Sequence, residues 1–412
     1  MEQLLVNAGP IAHMASDNPL VGHIDEENFI LEPGYGILIE NGIIKKIQSS
    51  DELIEEYSNS AVIDLEGRAV IPGLVDSHTH LIWSGDRSKE VGWRQKGFSY
   101  KQIADMGGGI SHTVNSTKQS SEKELAKLGI KRMKQALHNG TTHMEAKSGY
   151  GLTAESELKL LKVADSLNVY SELPSLDITW LGAHSAPNGL TYEEYTQQII
   201  SDQLPKIVEQ GIARSADVFC EPGWFSIEQS ERILKESRAS GLDLRMHIDE
   251  FVDGGGGELA ADLSVSTADH AHYTSYETRS KMSNSNVNAG FLPGTPYSMG
   301  TNYPPFRECL DNEWAWTIAT DFNPNCRTLS LPFLASILVQ RNDISPITAL
   351  AACTVNSAAT TIHPSGLRQG SISEGHIANL NILDSVNWEA WCLQPGISPF
   401  FSTMLNGNMI YH

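Results

Sequence analysis

Cysteine is scarce in this sequence of 412 residues, which has five cysteines and no Cys-x-x-Cys pair. This scarcity argues against a disulfide framework and against a zinc finger, and it favours a reducing compartment. Long hydrophobic runs are also missing, and the N-terminus lacks the basic flank and apolar core of a secretion signal. We therefore expect a cytoplasmic protein with no membrane partner.

Positive charge is the second shortage. Lys and Arg number 29 against 50 Asp and Glu, so the formal net charge is -21. A chain with this balance is a poor partner for nucleic acid. An anionic substrate would have to be captured by a local cation against the field of the whole protein.

The two ends of the chain carry the same pattern. Short alternating segments at 35–47 and 60–71 include the dipeptide Asn41-Gly42, and those at 370–384 and 401–412 include Asn406-Gly407. Asn-Gly between apolar alternations is a strong hairpin signal. The pattern predicts that residues 1–70 and 366–412 form one small discontinuous β-sandwich domain.

The long middle of the chain, residues 71–365, alternates strand-like and helix-like stretches. This rhythm is typical of parallel sheets, and eight such strands close most economically into a TIM-like (β/α)8 barrel of the α/β class. The expected strands lie in GLVDSHTHL, TTHMEAK, LDITWLGAH, ADVFCE, LDLRMHID, STADH, VNAGFLPG and WAWTIATD. Ser121 and Glu124 form a capping-box pattern at the start of one intervening helix.

Polar residues at the expected strand ends predict a metal site, because active sites of such barrels lie where strands end. Side chains alternate along a strand, so His78 and His80 would share one face. His247 and Asp321 end the fifth and eighth strands. Three imidazoles and a carboxylate can bind zinc, iron or manganese, and an open position can hold a water for hydrolysis.

Three side chains near these ligands are candidates for proton transfer. Glu250, three residues after His247, would lie over the water as a general acid or base. Asp321 could take a proton while binding the metal, and His270 could hold Asp321 or polarise a carbonyl. The sequence leaves open how the proton steps divide among them.

Arg87 and Tyr150 are candidates for substrate contacts. Arg87 follows His78 in the first loop after a strand, where a guanidinium could bind a carboxylate in bidentate fashion, and the alternative is a surface ion pair. Tyr150 lies between two glycines as either a hydrogen-bond donor or a packing residue. His184 ends the third expected strand.

At these residues the chain resembles the amidohydrolase superfamily, through PGLVDSHTHL, the His-x-x-Glu of HIDE, ATD at the eighth strand and the split β domain. This resemblance covers nearly the whole chain, and within the superfamily the chain is similar to the imidazolonepropionase family. The motifs that carry this similarity are HTHLIWSGDR, YKQIADMGGGI, MEAKSGYGL, LGAHSAP, DVFCEPGWF, STADH and ATDFNP.

The resemblance implies roles for individual residues. The implied ligands of one metal ion per subunit, zinc first and iron as the alternative, are His78, His80, His247 and Asp321. The implied substrate contacts are Arg87, Tyr150, His184, Glu250 and Asn323, and the implied catalytic groups are Glu250, His270 and Asp321. The family reaction is the hydrolytic opening of 4-imidazolone-5-propanoate to N-formimino-L-glutamate in histidine degradation. The expected substrate is thus a small anionic heterocycle whose propionate Arg87 would hold, and a homodimer is expected.

The sequence also departs from the family pattern. It reads NPNC, with Asn325 and Cys326, where the family usually has NPGS or NPGT, and the loop after the seventh strand is atypical. An alternative is an aminohydrolase that deaminates a nitrogen heterocycle such as guanine, which would not need Arg87. A non-catalytic binding protein on the same fold is a further alternative, and the complete ligand set argues against it.

Overall fold

The computed structural model describes residues 2–98, 102–103 and 106–412. Part of the motif at 100–110, namely positions 100, 101, 104 and 105, therefore lies outside the described residues. The chain begins with short strands, as the alternating pattern predicts. They are β1 (Glu2–Val6), β2 (Ile11–Ala12), β3 (Ile30–Leu31), β4 (Tyr35–Glu40), β5 (Ile43–Ser49), β6 (Ala61–Asp64) and β7 (Val70–Pro72).

Eight strands then form one parallel sheet in sequence order, which confirms the predicted barrel strands. They are β8 (Leu74–Asp76), β9 (Thr141–Lys147), β10 (Ser175–Ala183), β11 (Ser215–Cys220), β12 (Asp243–Ile248), β13 (Thr267–His270), β14 (Asn288–Phe291) and β15 (Trp316–Ile318). Every residue of β9 is buried. Such burial on both faces is expected of strands in a parallel sheet covered by helices.

The barrel closes just beyond the ends of β8 and β15. The N–H of His80 donates to the carbonyl of Phe322 at 2.9 Å, and the N–H of Asp321 donates to the carbonyl of His78 at 3.1 Å. Below this contact, the hydroxyl of Thr320 donates to the buried carboxylate of Asp76 at 2.6 Å. These bonds place the segment after the first barrel strand against the segment after the last.

Helices connect the barrel strands and cover them, apart from the first helix of the chain, which lies between β5 and β6 and packs on β1, β4 and β5. In the described residues they are α1 (Ser50–Glu56), α2 (Lys89–Gln95), α3 (Gly109–Gln119), α4 (Glu122–His138), α5 (Ala154–Leu167), α6 (Tyr192–Gln198), α7 (Leu204–Gln210), α8 (Ile227–Ala239), α9 (Gly256–Asp262), α10 (Tyr276–Asn284), α11 (Gly294–Met299), α12 (Phe306–Asp311), α13 (Leu331–Arg341), α14 (Pro346–Ala352) and α15 (Val355–Ala359). The capping box of Ser121 and Glu124 is formed at the start of α4, as predicted. None of the helices in the described part of the chain combines the length and the apolar character needed to cross a membrane.

The last strands are β16 (Leu380–Leu383), β17 (Phe400–Leu405) and β18 (Asn408–Tyr411). They join strands from the other end of the chain in a six-stranded sheet of order β18-β17-β16-β7-β2-β3, beside a four-stranded sheet of order β5-β4-β1-β6. Both Asn-Gly turns form hairpins in which both residues have positive φ, as expected for this dipeptide. The domain boundaries at 70 and 366 stay a prediction.

Candidate active site

Four side chains converge where the barrel closes. His78 Nε2 lies 3.5 Å from Asp321 Oδ1, and His80 Nε2 lies 3.7 Å from the same oxygen. His247 Nε2 lies 3.4 Å from His80 Nε2. β8 ends at Asp76, so the two histidines follow the strand instead of lying within it. The side chains of His78 and His80 still share one face, because Thr79 between them forms a parallel β-bridge with Phe322, as a strand residue would.

The donor atoms at this point fit a metal ion. His78 Nδ1 lies 2.7 Å from Asp269 Oδ2, so Nδ1 carries the proton and Nε2 presents its lone pair to Asp321. Nε2 of His78 is buried and makes no hydrogen bond with the described residues. A cation shared by these two acceptors, which lie 3.5 Å apart, would satisfy both of them. Donor atoms on one tetrahedral zinc ion lie about 3.4 Å apart, close to the separations found here.

His270 lies beside this set. One ring nitrogen each of His78, His247 and His270 lies within 4.8 Å of the others, and a donor atom each of His78, His80 and Asp321 forms a second such group. His270 and Asp321 both have left-handed backbones, with φ of 66° and 47°. Such conformations are uncommon outside glycine and cluster at functional sites.

Burial favours the neutral form of four imidazoles at the site. Burial lowers the pKa of His78, His80 and His270 well below the ordinary histidine value. Burial likewise lowers the pKa of His184 to about 3. Neutral imidazole is the form that binds metals and accepts hydrogen bonds.

Beneath the histidines lies a buried ion cluster, consisting of Lys147, Glu145, Asp217 and Asp269. The ammonium of Lys147 is 2.7 Å from Asp217, 3.0 Å from Glu145 and 3.7 Å from Asp269. Burial alone would lower the pKa of Lys147, but the three carboxylates outweigh it and raise that pKa above the ordinary value. The surrounding carboxylates therefore keep this lysine protonated.

Glu250 is fixed by a second carboxylate. Glu221, the first residue after β11, accepts the N–H groups of Glu250, Phe251 and Val252 at 3.0, 3.0 and 3.1 Å. The side chain of Glu250 lies 3.5 Å from His270 Nε2. Burial and the nearby charge of Asp321 raise the pKa of Glu250 well above its ordinary value.

A pocket of about 100 Å³ opens over these groups. The sequence-predicted residues that line it are His80, Arg87, Tyr150, His184, His247, Glu250, His270, Asp321 and Asn323. Phe219, Trp224 and Phe251 add an aromatic wall. His78 lies below the pocket among the buried side chains.

Arg87 is buried in this pocket, and its ion pair with Glu90 is buried with it. Its Nε and Nη2 donate to the two carboxylate oxygens of Glu90 at 2.7 and 2.9 Å. Glu90 also accepts the backbone N–H of Gly109 at 2.8 Å, at the start of α3. Glu90 thereby fixes the guanidinium plane against the first helix after β8.

His184 and Tyr150 line the pocket beside His80. His184 Nδ1 donates to the carbonyl of Gly149 at 2.9 Å, which leaves Nε2 as an acceptor. Its ring stacks on His80 with centroids 5.1 Å apart. The Tyr150 ring lies 5.1 Å from His184.

The NPNC turn lies on the third side. The side-chain oxygen Oδ1 of Asn323 accepts the N–H groups of Asn325 and Cys326 at 2.7 and 3.1 Å, so this side chain also shapes its own turn. Asn325 lines the pocket. Cys326 is buried against Gly294, where an added Cβ would come within 2.8 Å of its sulfur.

Glu90, Asp217 and Asp269 support the predicted site residues but were not among the predicted ones. A signal for two of them was present, because Asp217 and Asp269 lie inside strands that read as buried on both faces. A charge in such a strand must be paired, so it marks an ion cluster or a site.

Comparison with known proteins identifies the family. Residues 61–106 match the amidohydrolase family model. The chain is 36% identical to the imidazolonepropionase of Clostridium tetani over 394 residues, which cover 94% of this chain and 93% of that protein. It is 35% identical to the imidazolonepropionase of Geobacillus kaustophilus, over 99% of this chain and 96% of that one.

Solved structures show the same fold at low identity. An adenosine deaminase from Xanthomonas campestris with bound zinc has a TM-score of 0.71 at 15% identity, over 99% of this chain and 92% of that chain. A guanine deaminase from C. acetobutylicum with bound guanine has a TM-score of 0.69 at 16% identity, over all of both chains. The donor cluster and the family together support a metal cofactor. At this identity and coverage, the chain belongs to the imidazolonepropionase family of the amidohydrolases.

Proposed function

We propose that this chain hydrolyses 4-imidazolone-5-propanoate, opening the ring to N-formimino-L-glutamate in histidine degradation. It is thus a hydrolase of a carbon–nitrogen bond in a cyclic amide. The observation that carries the proposal is that the donor cluster and a buried arginine face one pocket. The cluster suits hydrolysis, and the arginine suits an anionic substrate that the net charge of -21 would otherwise repel.

The proposed cofactor is one zinc ion per subunit, held by His78, His80, His247 and Asp321, with iron as the alternative. The contacts of 3.4 to 3.7 Å among these side chains support this choice of four. When bound, such an ion polarises the ring carbonyl and makes water a nucleophile at neutral pH. His270 then remains outside the set.

Arg87 is proposed to bind the propionate. Glu90 occupies its Nε and Nη2, which fixes the direction of the guanidinium before substrate arrives. A pre-oriented donor loses less side-chain entropy on binding. Tyr150 and the acceptor nitrogen of His184 would contact the ring, and Asn323 would contact the glutamate portion of the product.

Glu250, Asp321 and His270 are proposed to move protons. Asp321 would take the proton of the attacking water, and Glu250 would deliver a proton to the ring nitrogen as the carbon–nitrogen bond breaks. His270, 3.5 Å from Glu250, would stabilise the oxygen that gains charge. The anchoring of Glu250 by Glu221 supports a fixed position for this acid.

We further propose that the protein works in the cytoplasm as a homodimer. All five cysteines are buried and free of disulfides, which suits a reducing compartment. Size-exclusion chromatography with light scattering tests the dimer, and a mass of one chain would reject it.

The test of the function is direct. Purified protein is incubated with freshly generated imidazolonepropionate, and the loss of its ultraviolet absorbance is followed together with formiminoglutamate and ammonia. We expect one formiminoglutamate for each substrate consumed and no ammonia. Unchanged absorbance with metal bound would reject this substrate, and release of ammonia from a heterocycle such as guanine would favour the deaminase.

A further inference from the structure

We propose that Lys147 is a positioning residue, whose ammonium aligns the two carboxylates that orient His78 and His247. The inference rests on the metal ligands proposed above and extends them to a residue with no contact to the metal or the substrate. Lys147 ends strand β9, between β8 and β10. It therefore lies on a different strand from His247, which is in β12, and on a different strand from β8, which His78 follows.

The first link runs through Asp217. One oxygen of Asp217 accepts a hydrogen bond from the Lys147 ammonium at 2.7 Å, and the other accepts one from His247 Nδ1 at 3.1 Å. A carboxylate held on one side by a cation can rotate little, so the imidazole on its other side is fixed as well. The Nε2 lone pair of His247 then faces the site.

The second link runs through Asp269. The same oxygen of Asp269 is 2.7 Å from His78 Nδ1 and 3.7 Å from the Lys147 ammonium. This hydrogen bond selects the tautomer of His78 with its proton on Nδ1. Carboxylates behind metal-binding histidines set tautomer and ring orientation in this way.

A third contact of Lys147, through Glu145, leads to the backbone between His78 and His80. Glu145 lies 3.0 Å from the Lys147 ammonium, and its other oxygen accepts the N–H of Thr79 at 3.2 Å. Thr79 lies between His78 and His80 in the chain. One ammonium thus holds three carboxylates, each of which contacts a proposed ligand or the backbone beside one.

The cluster needs its cation for a physical reason. Lys147, Glu145 and Asp217 are fully buried, and Asp269 is 3% exposed in its side chain. Carboxylates packed this closely in a dry interior repel one another strongly. Without the ammonium they would move apart, and the imidazoles bonded to Asp217 and Asp269 would turn with them.

The same contacts also bear on the chemical form of Lys147: they suit an unmodified lysine and argue against one whose Nζ carries a carbamate. A carbamylated lysine carries a negative charge and a single N–H, and here it would face three carboxylates. The two short contacts, at 2.7 and 3.0 Å, suit an ammonium with several donors. Lys147 thus acts behind the ligands and not as one of them.

The test is the affinity for Co²⁺, measured by competition with a chromophoric chelator on metal-free protein, together with the visible spectrum of the Co²⁺ form. We expect Lys147→Met to bind Co²⁺ roughly 10- to 100-fold more weakly, the range typical of lost partners behind metal ligands. We also expect its visible bands to shift, because the imidazoles change orientation. Wild-type affinity and spectrum in folded Lys147→Met would overturn the proposal.

The matched control is Arg214→Met. Arg214 is a cation of the same barrel that also pairs with carboxylates, those of Asp177 and Asp243, but these lie near the starts of β10 and β12, away from the proposed ligands. We expect a lower melting temperature in this variant with unchanged Co²⁺ affinity. An equal loss of affinity in both variants would show that removing any paired cation of the barrel weakens metal binding, and it would reject a specific role for Lys147.

Two further measurements keep the test decisive. If Lys147→Met does not fold, Asp217→Asn retains the side-chain volume and breaks the same link, so wild-type Co²⁺ affinity in that variant would overturn the proposal. If the wild-type chain itself binds no Co²⁺, the metal set proposed above fails. If the wild-type chain binds Co²⁺ and the variants bind it more weakly, the result supports both the proposed metal ligands and the role of Lys147.

Discussion

The interior of the barrel and the core shared by the two terminal sheets are equally closed to water, but they bury different chemistry. The barrel interior holds Lys147, Asp217 and Asp269 together with the histidines above them. The core of the terminal sheets is apolar and includes Leu5, Ile37, Leu380, Ile382 and Met404. Charge is thus buried at the site and kept out of the terminal core.

This difference has an energetic reason. Moving a charge into a dry interior is costly unless partners surround it, whereas burying apolar surface is favourable. The terminal sheets therefore gain stability from their core. In the barrel, burying the charged groups that orient the site side chains lowers the stability of the fold. Substitutions in the two regions should separate effects on catalysis from effects on stability.

Metal removal should produce the largest effect, and only at the barrel. We expect a chelator to reduce kcat at least about 1,000-fold, because an activated water is lost, and added Zn²⁺ to restore it. The measurement is turnover of imidazolonepropionate against metal content by mass spectrometry. Full activity in protein with less than a tenth of a metal ion per chain would show that turnover does not depend on the metal, and it would contradict the assignment of catalysis to the barrel site.

Arg87→Met should produce the next largest effect. We expect KM to rise about 10- to 100-fold with metal content unchanged, because a charged hydrogen bond to the substrate carboxylate is lost. Since this change leaves the Glu90 carboxylate buried and unpaired, Arg87→Met combined with Glu90→Gln serves as the control for that side effect. Kinetics equal to wild type in both variants would reject the carboxylate contact.

Met404→Ala tests the other region. Met404 is fully buried in β17, so the truncation should lower the free energy of unfolding by about 2–5 kcal/mol. Turnover per folded molecule and metal content should not change. Urea unfolding with activity measured well below the transition checks both, and a large loss of kcat without destabilisation would show that the two regions are coupled.

The elements of both regions could be predicted because their signals are local. The stretch Thr141 to Lys147 is the strand β9 itself, and Ser121 with Glu124 begins α4 where the capping pattern indicates. The site could be located because all barrel strands end at one rim. His78 and Asp321 meet there since the barrel closes between their strands.

Partners across strands could not be predicted in the same way. Alternation along a strand tells which face a side chain occupies, but it does not tell which residue on another strand lies opposite. Asp217 could therefore be read as buried, but its bonds to Lys147 and His247 depend on register. The partner of Arg87 is only three residues away, yet its bidentate geometry needs the turn into α2.

Gly42→Ala should have the smallest effect, and it sharpens the description of the terminal sheets. Gly42 has a φ of 77°, and a Cβ there would come within 2.7 Å of the carbonyl oxygen of Asn406 in the other Asn-Gly turn. Gly67, with a φ of 74° and no atom within 4 Å of its added Cβ, is the matched control. In both variants the free energy of unfolding should fall by about 1 kcal/mol, because alanine is strained in the left-handed conformation. The fall should be larger in Gly42→Ala, because there the two turns must also move apart. Equal losses in urea unfolding would mean that the turns do not depend on each other, and a change in kcat for either variant would place the terminal sheets within the function.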